Sequence, residues 1–396
     1  MKQIALLLFL IPFSCIRTSN FDAGYLAQKI DSELTIPFSF DSELIIIEAS
    51  INGVNGRFLF DNGFSLSALN EDFAQRAKVT MKGSASIRDG NNNRTNLKRA
   101  TIQNLKITEA AFINTGAYII DTNRFLPCDP IDGIIGASII NKINWSINFD
   151  KQVLSLSSNA FQSDGFEIPI SIAQNNSSFA NFSISNINVR TKLDLGYQGQ
   201  LKLKKEKFLR SFEHSLARKN IGITSLSASG LGNIDTTYAI DNQPVSSNNQ
   251  QLHQAIEAEL TNHLKYDARM GLGYLKNYNV VINSSGKRYV LKERNTEDAA
   301  RVDKSYGVAI YPINGIYRII NIDSNRPDLR AFSLMDTVLQ IDDKVMSTFS
   351  DKCEFSSYLN SKKVLSEDIV LIIEGLQNPV ALSFIEPVLS KVSESE

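Results

Sequence analysis

Arg57-Phe58-Leu59-Phe60-Asp61-Asn62-Gly63-Phe64-Ser65 and Arg190-Thr191-Lys192-Leu193-Asp194-Leu195-Gly196-Tyr197-Gln198 decide how this chain folds. Each is a strand-like run that ends in Asp-x-Gly followed by an aromatic residue. One Asp-x-Gly carries little information, because Asp and Gly are ordinary turn residues. Two of them inside the same longer order of features carry much more. Asp132-Gly133-Ile134-Ile135-Gly136, followed by strand-like runs through Trp145 and Val153, is echoed by Met270-Gly271-Leu272-Gly273 with Val280-Val281-Ile282 and Tyr289-Val290-Leu291. Asp61 to Asp194 is 133 residues and Gly136 to Gly273 is 137, so two copies run at a nearly constant offset. The body of the chain reads as a duplicated β unit.

The punctuation agrees. Ile45-Ile46-Ile47-Glu48-Ala49-Ser50-Ile51 before Asn52-Gly53 is a strand running into a hairpin turn. A short helix is predicted after each Asp-x-Gly strand. In the first copy Asn70 caps Glu71-Asp72, with Phe73 and Ala77 on one face; in the second, Phe208, Phe212 and Leu216 recur every four residues. A longer helix is expected over residues 249–264, where Leu252, Ile256 and Leu260 form one stripe with no counterpart in the first copy. Lys202, Lys204, Lys205 and Lys207 are read as a solvated face, interrupted by Glu206.

Composition narrows the function classes. The 396 residues allow two or three domains, and 43% hydrophobic with 21% charged residues supports packed cores. Lys plus Arg (41) balances Asp plus Glu (42), so no basic stripe invites nucleic acid. Cysteines 15, 128 and 353 offer no Cys-x-x-Cys, and the three histidines lie far apart, so no metal site and no cofactor are expected. Cys128 and Cys353 fall in segments assigned to different domains and are expected to be free thiols. His214, His253 and His263 fall in predicted helices without a nucleophile elbow, which leaves serine-type catalysis unsupported.

Lys2 followed by the apolar run from Ile4 to Phe13 has the length of a secretory core and is too short to span a bilayer. The run ends at Ser14-Cys15, which resembles the lipobox of bacterial lipoproteins, with Phe13 and Pro12 departing from the usual residues. That resemblance implies a signal segment over 1–15, acylation of Cys15, and an exported protein of the bacterial cell envelope, held in the periplasm or at the outer membrane by a lipid anchor only. Ordinary secretion is the alternative.

After Leu291 a charged stretch marks a linker over 293–304, and a new unit is placed at 305–388. Its order of strands, a helix near 326–334 and another around 354–359 resembles a bacterial PDZ domain. The resemblance implies a peptide groove at Tyr306, Gly307, Val308, Ala309 and Ile310, with peptide C-termini as ligands. Met335 stands where the usual Gly precedes the strand-opening Asp336.

The paired Asp-x-Gly turns with their downstream glycines resemble the pepsin and retropepsin-like aspartic proteases over residues 36–292. The implied fold is mostly β: a bilobal pepsin-like acid protease fold of two duplicated β-barrel lobes, 34–160 and 161–292, followed by the PDZ-like β/α domain. Asp61 and Asp194 would be the catalytic pair, supported by Asn62, Gly63, Leu195, Gly196, Gly136 and Gly273, and the substrate a peptide or protein. Two carboxylates within about 3 Å share one proton; the ionised one activates water and the protonated one hydrogen-bonds the scissile carbonyl. Residues 87–91 with the return 97–102 are the candidate flap over the cleft. The family places Thr or Ser between Asp and Gly, where this chain has Asn62 and Leu195. Asparagine can still donate and accept across the lobes, and leucine cannot. An aspartic endopeptidase and a degenerate protease fold that binds peptides without cutting them both stay open.

Overall fold

A computed structural model describes residues 23–384 apart from 42, 89–92, 125, 127, 228–229, 253 and 295–304. Cys15, the predicted signal segment, the tip of the candidate flap, His253 and most of the predicted linker lie outside the described residues.

Asn52 and Gly53 both take positive φ (50° and 85°), the conformation that a two-residue turn needs to match strand twist. They join Ile46–Ile51 to Val54–Asp61 in an antiparallel hairpin. Val54–Asp61 then lies parallel to Gly133–Gly136, with Asp61 opposite Gly136, while Ser67–Leu69 runs antiparallel to Gly133–Gly136 and parallel to Ala110–Ile119. The second copy repeats every pairing. Ser185 and Asn186, again at positive φ, join Ser178–Ile184 to Ile187–Asp194. Ile187–Asp194 is parallel to Ala268–Gly271, and Leu201–Lys204 is antiparallel to that strand and parallel to Ile256–Thr261. The fold is mostly β, and the two lobes are built alike.

The lobes share a floor. Leu34–Pro37, Val153–Ser157 and Asn144–Asn148 pair in turn, and Asn144–Asn148 pairs with Tyr278–Asn283, which continues through Arg288–Glu293 to Phe166–Ile172. The seam lies where Ser146 faces Val281. Trp145 is fully buried there, its indole N–H donating to the Ile140 carbonyl and its ring 4.9 Å from Phe60. One apolar core therefore runs from lobe to lobe beneath the two Asp-x-Gly turns. The first lobe also takes in Ala23–Leu26, which pairs with Ala110–Ile119.

Several expectations need correcting. The described residues of 249–264 include no helix: Ile256–Thr261 is a strand, and it is the counterpart of Ala110–Ile119 rather than an insertion. The four-residue spacing of Leu252, Ile256 and Leu260 suits a strand as well as a helix, because four is also a multiple of two. His263 consequently follows a strand. The helix after Asp194 is a single turn, Lys205–Phe208, continued by the 3-10 segment Arg210–Ser215, and Leu216 opens the next strand. The first-lobe helix is Glu71–Arg76, capped by Asn70, whose side chain accepts from the Asp72 N–H.

Residues after 305 bury a separate apolar cluster that includes Tyr306, Ile319, Ile341, Phe355 and Leu371. The helix here is Lys352–Leu365, and the helix expected near 326–334 is only the 3-10 turn Pro327–Leu329. Met335 takes φ 72°, which explains why glycine suits this position. Two links tie this unit to the rest of the chain. Ile316–Asp323 pairs with Leu216–Gly222 of the second lobe, and Cys353 forms a disulfide with Cys128 of the first. The expectation of free thiols is overturned, because the C-terminal unit folds back onto the first lobe and brings the two cysteines to a Cα separation of 5.2 Å.

Candidate active site

Asp61 and Asp194 each end a strand that runs parallel to a glycine strand, and each turns back on itself in the same way. The Gly63 N–H donates to Asp61 Oδ1 at 2.7 Å and the Gly196 N–H to Asp194 Oδ1 at 3.2 Å. The Phe64 and Tyr197 N–H groups donate to the carbonyls of Asp61 and Asp194, both at 3.3 Å. The turns face each other so closely that a β-carbon on Gly63 would collide with the Asp194 carboxylate, and one on Gly196 with that of Asp61. Glycine is required at both places because the opposite lobe's aspartate occupies the space.

Both carboxylates are nearly enclosed, with Asp61 8% and Asp194 5% exposed, and both line one cavity of about 540 Å³ between the lobes. Burial first, and the adjacent charge of Asp194 second, push the Asp61 carboxyl up to about 7, against the opposing pull of Lys192 and the Gly63 and Phe64 N–H groups. Ile87 and Arg88 reach the cavity from the hairpin of Thr80–Arg88 with Arg94–Ile107, the candidate flap. Thr224 and Ser225 reach it from the other side, after the equivalent hairpin strand Leu216–Gly222.

Asn62 spans the lobe boundary. Its side-chain oxygen accepts the Leu195 N–H at 2.7 Å, and its amide donates to the Tyr289 hydroxyl at 2.7 Å. Leu195 is fully buried in the core and returns no such bond. The first turn therefore holds the second through one side chain, where a symmetric pair of hydroxyls would act from both sides.

Gly136 stands opposite Asp61, and its β-carbon would strike the Leu66 carbonyl. The residue opposite Asp194 is Gly271, so the pairing of Gly136 with Gly273 needs correction. Gly271 caps the short helix Leu272–Leu275 as Gly136 caps Ala137–Ile140, while Gly273 lies inside that helix beneath the backbone of Gln198. Two closely spaced glycines concealed the difference in the sequence.

The reading of the Lys202 cluster as solvated fails for its first member. Lys202 is 4% exposed and lines the cavity, 3.3 Å from Glu259, with burial lowering its pKa. Lys205 also turns inward, donating to the Thr236 carbonyl. The sequence motifs do not single out Lys192, Arg269 and Tyr289. Lys192 donates to the Gly63 carbonyl at 2.6 Å and lies 3.5 Å from Asp194 Oδ2; Arg269 approaches the same oxygen at 3.7 Å. The aligned Asp-x-Gly stretches held the signal, since Lys192 stands where the first copy has Leu59.

None of the predicted peptide-groove residues lines this cavity. Tyr306 is buried and its hydroxyl donates to the Glu367 carbonyl, Gly307 takes φ 73°, and Val308, Ala309 and Ile310 open the strand Val308–Ile313. That strand lies near the helix Lys352–Leu365, with the Lys352 ammonium donating to the Tyr311 hydroxyl at 3.2 Å.

Residues 47–139, which hold Asp61 and its glycine, match the family described as aspartyl protease. Among solved structures the chain is similar to a retropepsin-like aspartic protease from Rickettsia conorii, at 21% identity over 32% of this chain and 89% of that one, with a TM-score of 0.24. It is also similar to an aspartic proteinase from Irpex lacteus, at 11% identity over 68% of this chain and 99% of that one, with a TM-score of 0.44. Comparison with curated proteins gives no match.

Proposed function

We propose that the chain is an aspartic-type endopeptidase whose catalytic pair is Asp61 and Asp194. The observation that carries this is the crosswise packing of each turn's glycine against the other lobe's aspartate, which brings both carboxylates to one cavity. The aspartyl protease match over the first lobe supports it. Asp61 holds the shared proton near neutral pH and donates it to the carbonyl of the scissile bond. Asp194, with Lys192 and Arg269 beside its outer oxygen, carries the negative charge and activates the attacking water.

A second reading, a cleft that binds peptides without cutting them, draws on the same two cations and on Leu195. Lys192 and Arg269 compete with a water for Asp194, and the one-sided Asn62 bridge leaves the second turn less firmly held. Digestion of a peptide library by wild type and Asp61→Asn separates the readings. Cleavage that vanishes in the variant supports the peptidase, whereas no cleavage by either protein at any pH leaves the binding role.

The unit after 305 is read as a PDZ-like module that captures peptide ends beside Gly307 and Ile310, and Cys15 as the site of a lipid anchor in a bacterial envelope. The Cys128–Cys353 disulfide supports export, since such bonds persist in oxidising compartments. Cys15→Ser should release the protein from the membrane fraction; equal solubility of mutant and wild type would count against the anchor.

A further inference from the structure

The pseudo-twofold relation between the lobes shows where this cleft departs from its own symmetry. Leu59 and Ile134 are register partners in the first lobe and both line the cavity. Their counterparts in the second lobe, partners in the same way, are Lys192 and Arg269. Ala68, the antiparallel neighbour of Ile134, is matched by Lys202, the antiparallel neighbour of Arg269. Three positions that are apolar on one wall have become cationic on the other.

Lys192 donates to the Gly63 carbonyl at 2.6 Å and Lys202 meets Glu259 at 3.3 Å, yet Asp194 is the only carboxylate beside Lys192 and Arg269 among the described residues. Lys192 and Arg269 approach one carboxylate oxygen, Asp194 Oδ2, at 3.5 and 3.7 Å, long for charge-assisted bonds. The Arg269 Nε is buried and finds no hydrogen-bond partner among the described residues. Among the described residues Glu259 pairs with Lys202 and not with Lys192 or Arg269. Lys192 is only 7% exposed, and burying a cation is costly unless an anion meets it. The guanidinium of Arg269 lies 4.7 Å over the Tyr197 ring, which holds the plane of a group suited to pairing with a planar anion.

We propose that the second-lobe wall of the cleft, built by Lys192, Lys202 and Arg269 beside Asp194, is a subsite for a carboxylate of the bound peptide. The carboxylate comes from an Asp or Glu side chain, or from the peptide's own C-terminus. This rests on the peptide-cleft reading given above and adds the substrate's charge to it. The carboxylate takes up the donors of Lys192 and Arg269 that now crowd Asp194, so substrate of the right charge frees Asp194 for the water.

The test uses the full chain and short fluorogenic peptides that differ only by Glu or Gln at one position, each made with a free or an amidated C-terminus. Wild type should cleave the Glu peptides roughly 10- to 100-fold more efficiently in kcat/KM than the amidated Gln peptide. Arg269→Ile and Lys192→Leu, which copy the first lobe's residues, should bring that ratio toward one. Binding of the same peptides to Asp61→Asn, read by fluorescence anisotropy, should show the same preference and weaken with salt. A preference that follows the free C-terminus instead of Glu identifies the chain end as the source of the carboxylate and still supports the subsite. If no peptide is cut but the binding preference persists, the peptidase reading fails and the subsite stands. Equal handling of all four peptides by wild type, in cleavage and in binding, overturns the proposal, and this arm needs no cleft variant to fold.

Discussion

The side-chain oxygen of Asn62 accepts the backbone N–H of Leu195 at 2.7 Å, so a residue of the first turn fixes the second turn across 133 residues of sequence. A bond of this kind sets the position of Asp194 relative to Asp61. Asn62→Ala leaves the buried Leu195 N–H unpaired, at a cost of about 1–3 kcal/mol in stability. It should also reduce turnover by about a hundredfold, because displacements near 1 Å cost about that much. Thermal melts and steady-state kinetics on one preparation measure both effects.

Leu195→Thr would insert the hydroxyl that a symmetric bridge uses. Leu195 is packed in the apolar core, so a hydroxyl there is buried among apolar groups at about 1–3 kcal/mol. The expected outcome is a lower melting temperature with no gain in rate. A variant that melts as high as wild type and cuts faster would show that a polar partner is within reach.

Asp61 has a folded-state pKa near 7, above its ordinary value of 3.8. The folded protein therefore holds a proton that the unfolded chain releases between about pH 4 and pH 7, and this carboxyl weakens the fold as pH rises through that window. Asp61→Asn removes the penalty. The melting temperature of the variant minus that of wild type should be larger at pH 8 than at pH 4, by on the order of several °C.

The same proton sets the alkaline limb of activity. Cleavage should persist from the acid side up to about pH 7 and fall above it, as Asp61 ionises. Lys192 pulls the Asp61 pKa down, so Lys192→Met should move that limb to higher pH. A pH–rate profile with an unmoved limb would remove Lys192 from the electrostatics of the pair.

The disulfide between Cys128 and Cys353 closes a separation of 225 residues and ties the C-terminal unit to the first lobe. Reduction, or Cys353→Ser, should lower stability by about 2–4 kcal/mol. Calorimetry with and without a reductant checks it.

The parts of this architecture written in local residue order were legible in the sequence. The Asp-x-Gly turns, the Asn52-Gly53 hairpin and the Asn70 cap depend on neighbours within a few positions, and the duplication shows as a repeated order of such features. Pairings set by the tertiary fold were not. Ile256–Thr261 is not legible as a strand because its spacing satisfies two periods at once. Lys202 is not legible as a cleft residue because Leu201–Lys204 is buried on both faces, so a charged residue in it gives no outward signal. Cys128 and Cys353 meet only because a distant unit folds back, and Gly271 was hidden by a second glycine two residues on. Lys192 and Arg269 acquire meaning only beside Leu59 and Ile134, once register fixes which residues correspond.

The most direct measurement is a mass-spectrometric digest of an unbiased peptide library between pH 4 and pH 8, run in parallel on wild type, Asp61→Asn and Asp194→Asn. Wild type should cut internal bonds, with cleavage declining above about pH 7, and neither variant should cut although both melt cooperatively. Cleavage that survives in either variant, or its absence in wild type at every pH, would contradict a catalytic pair formed by Asp61 and Asp194.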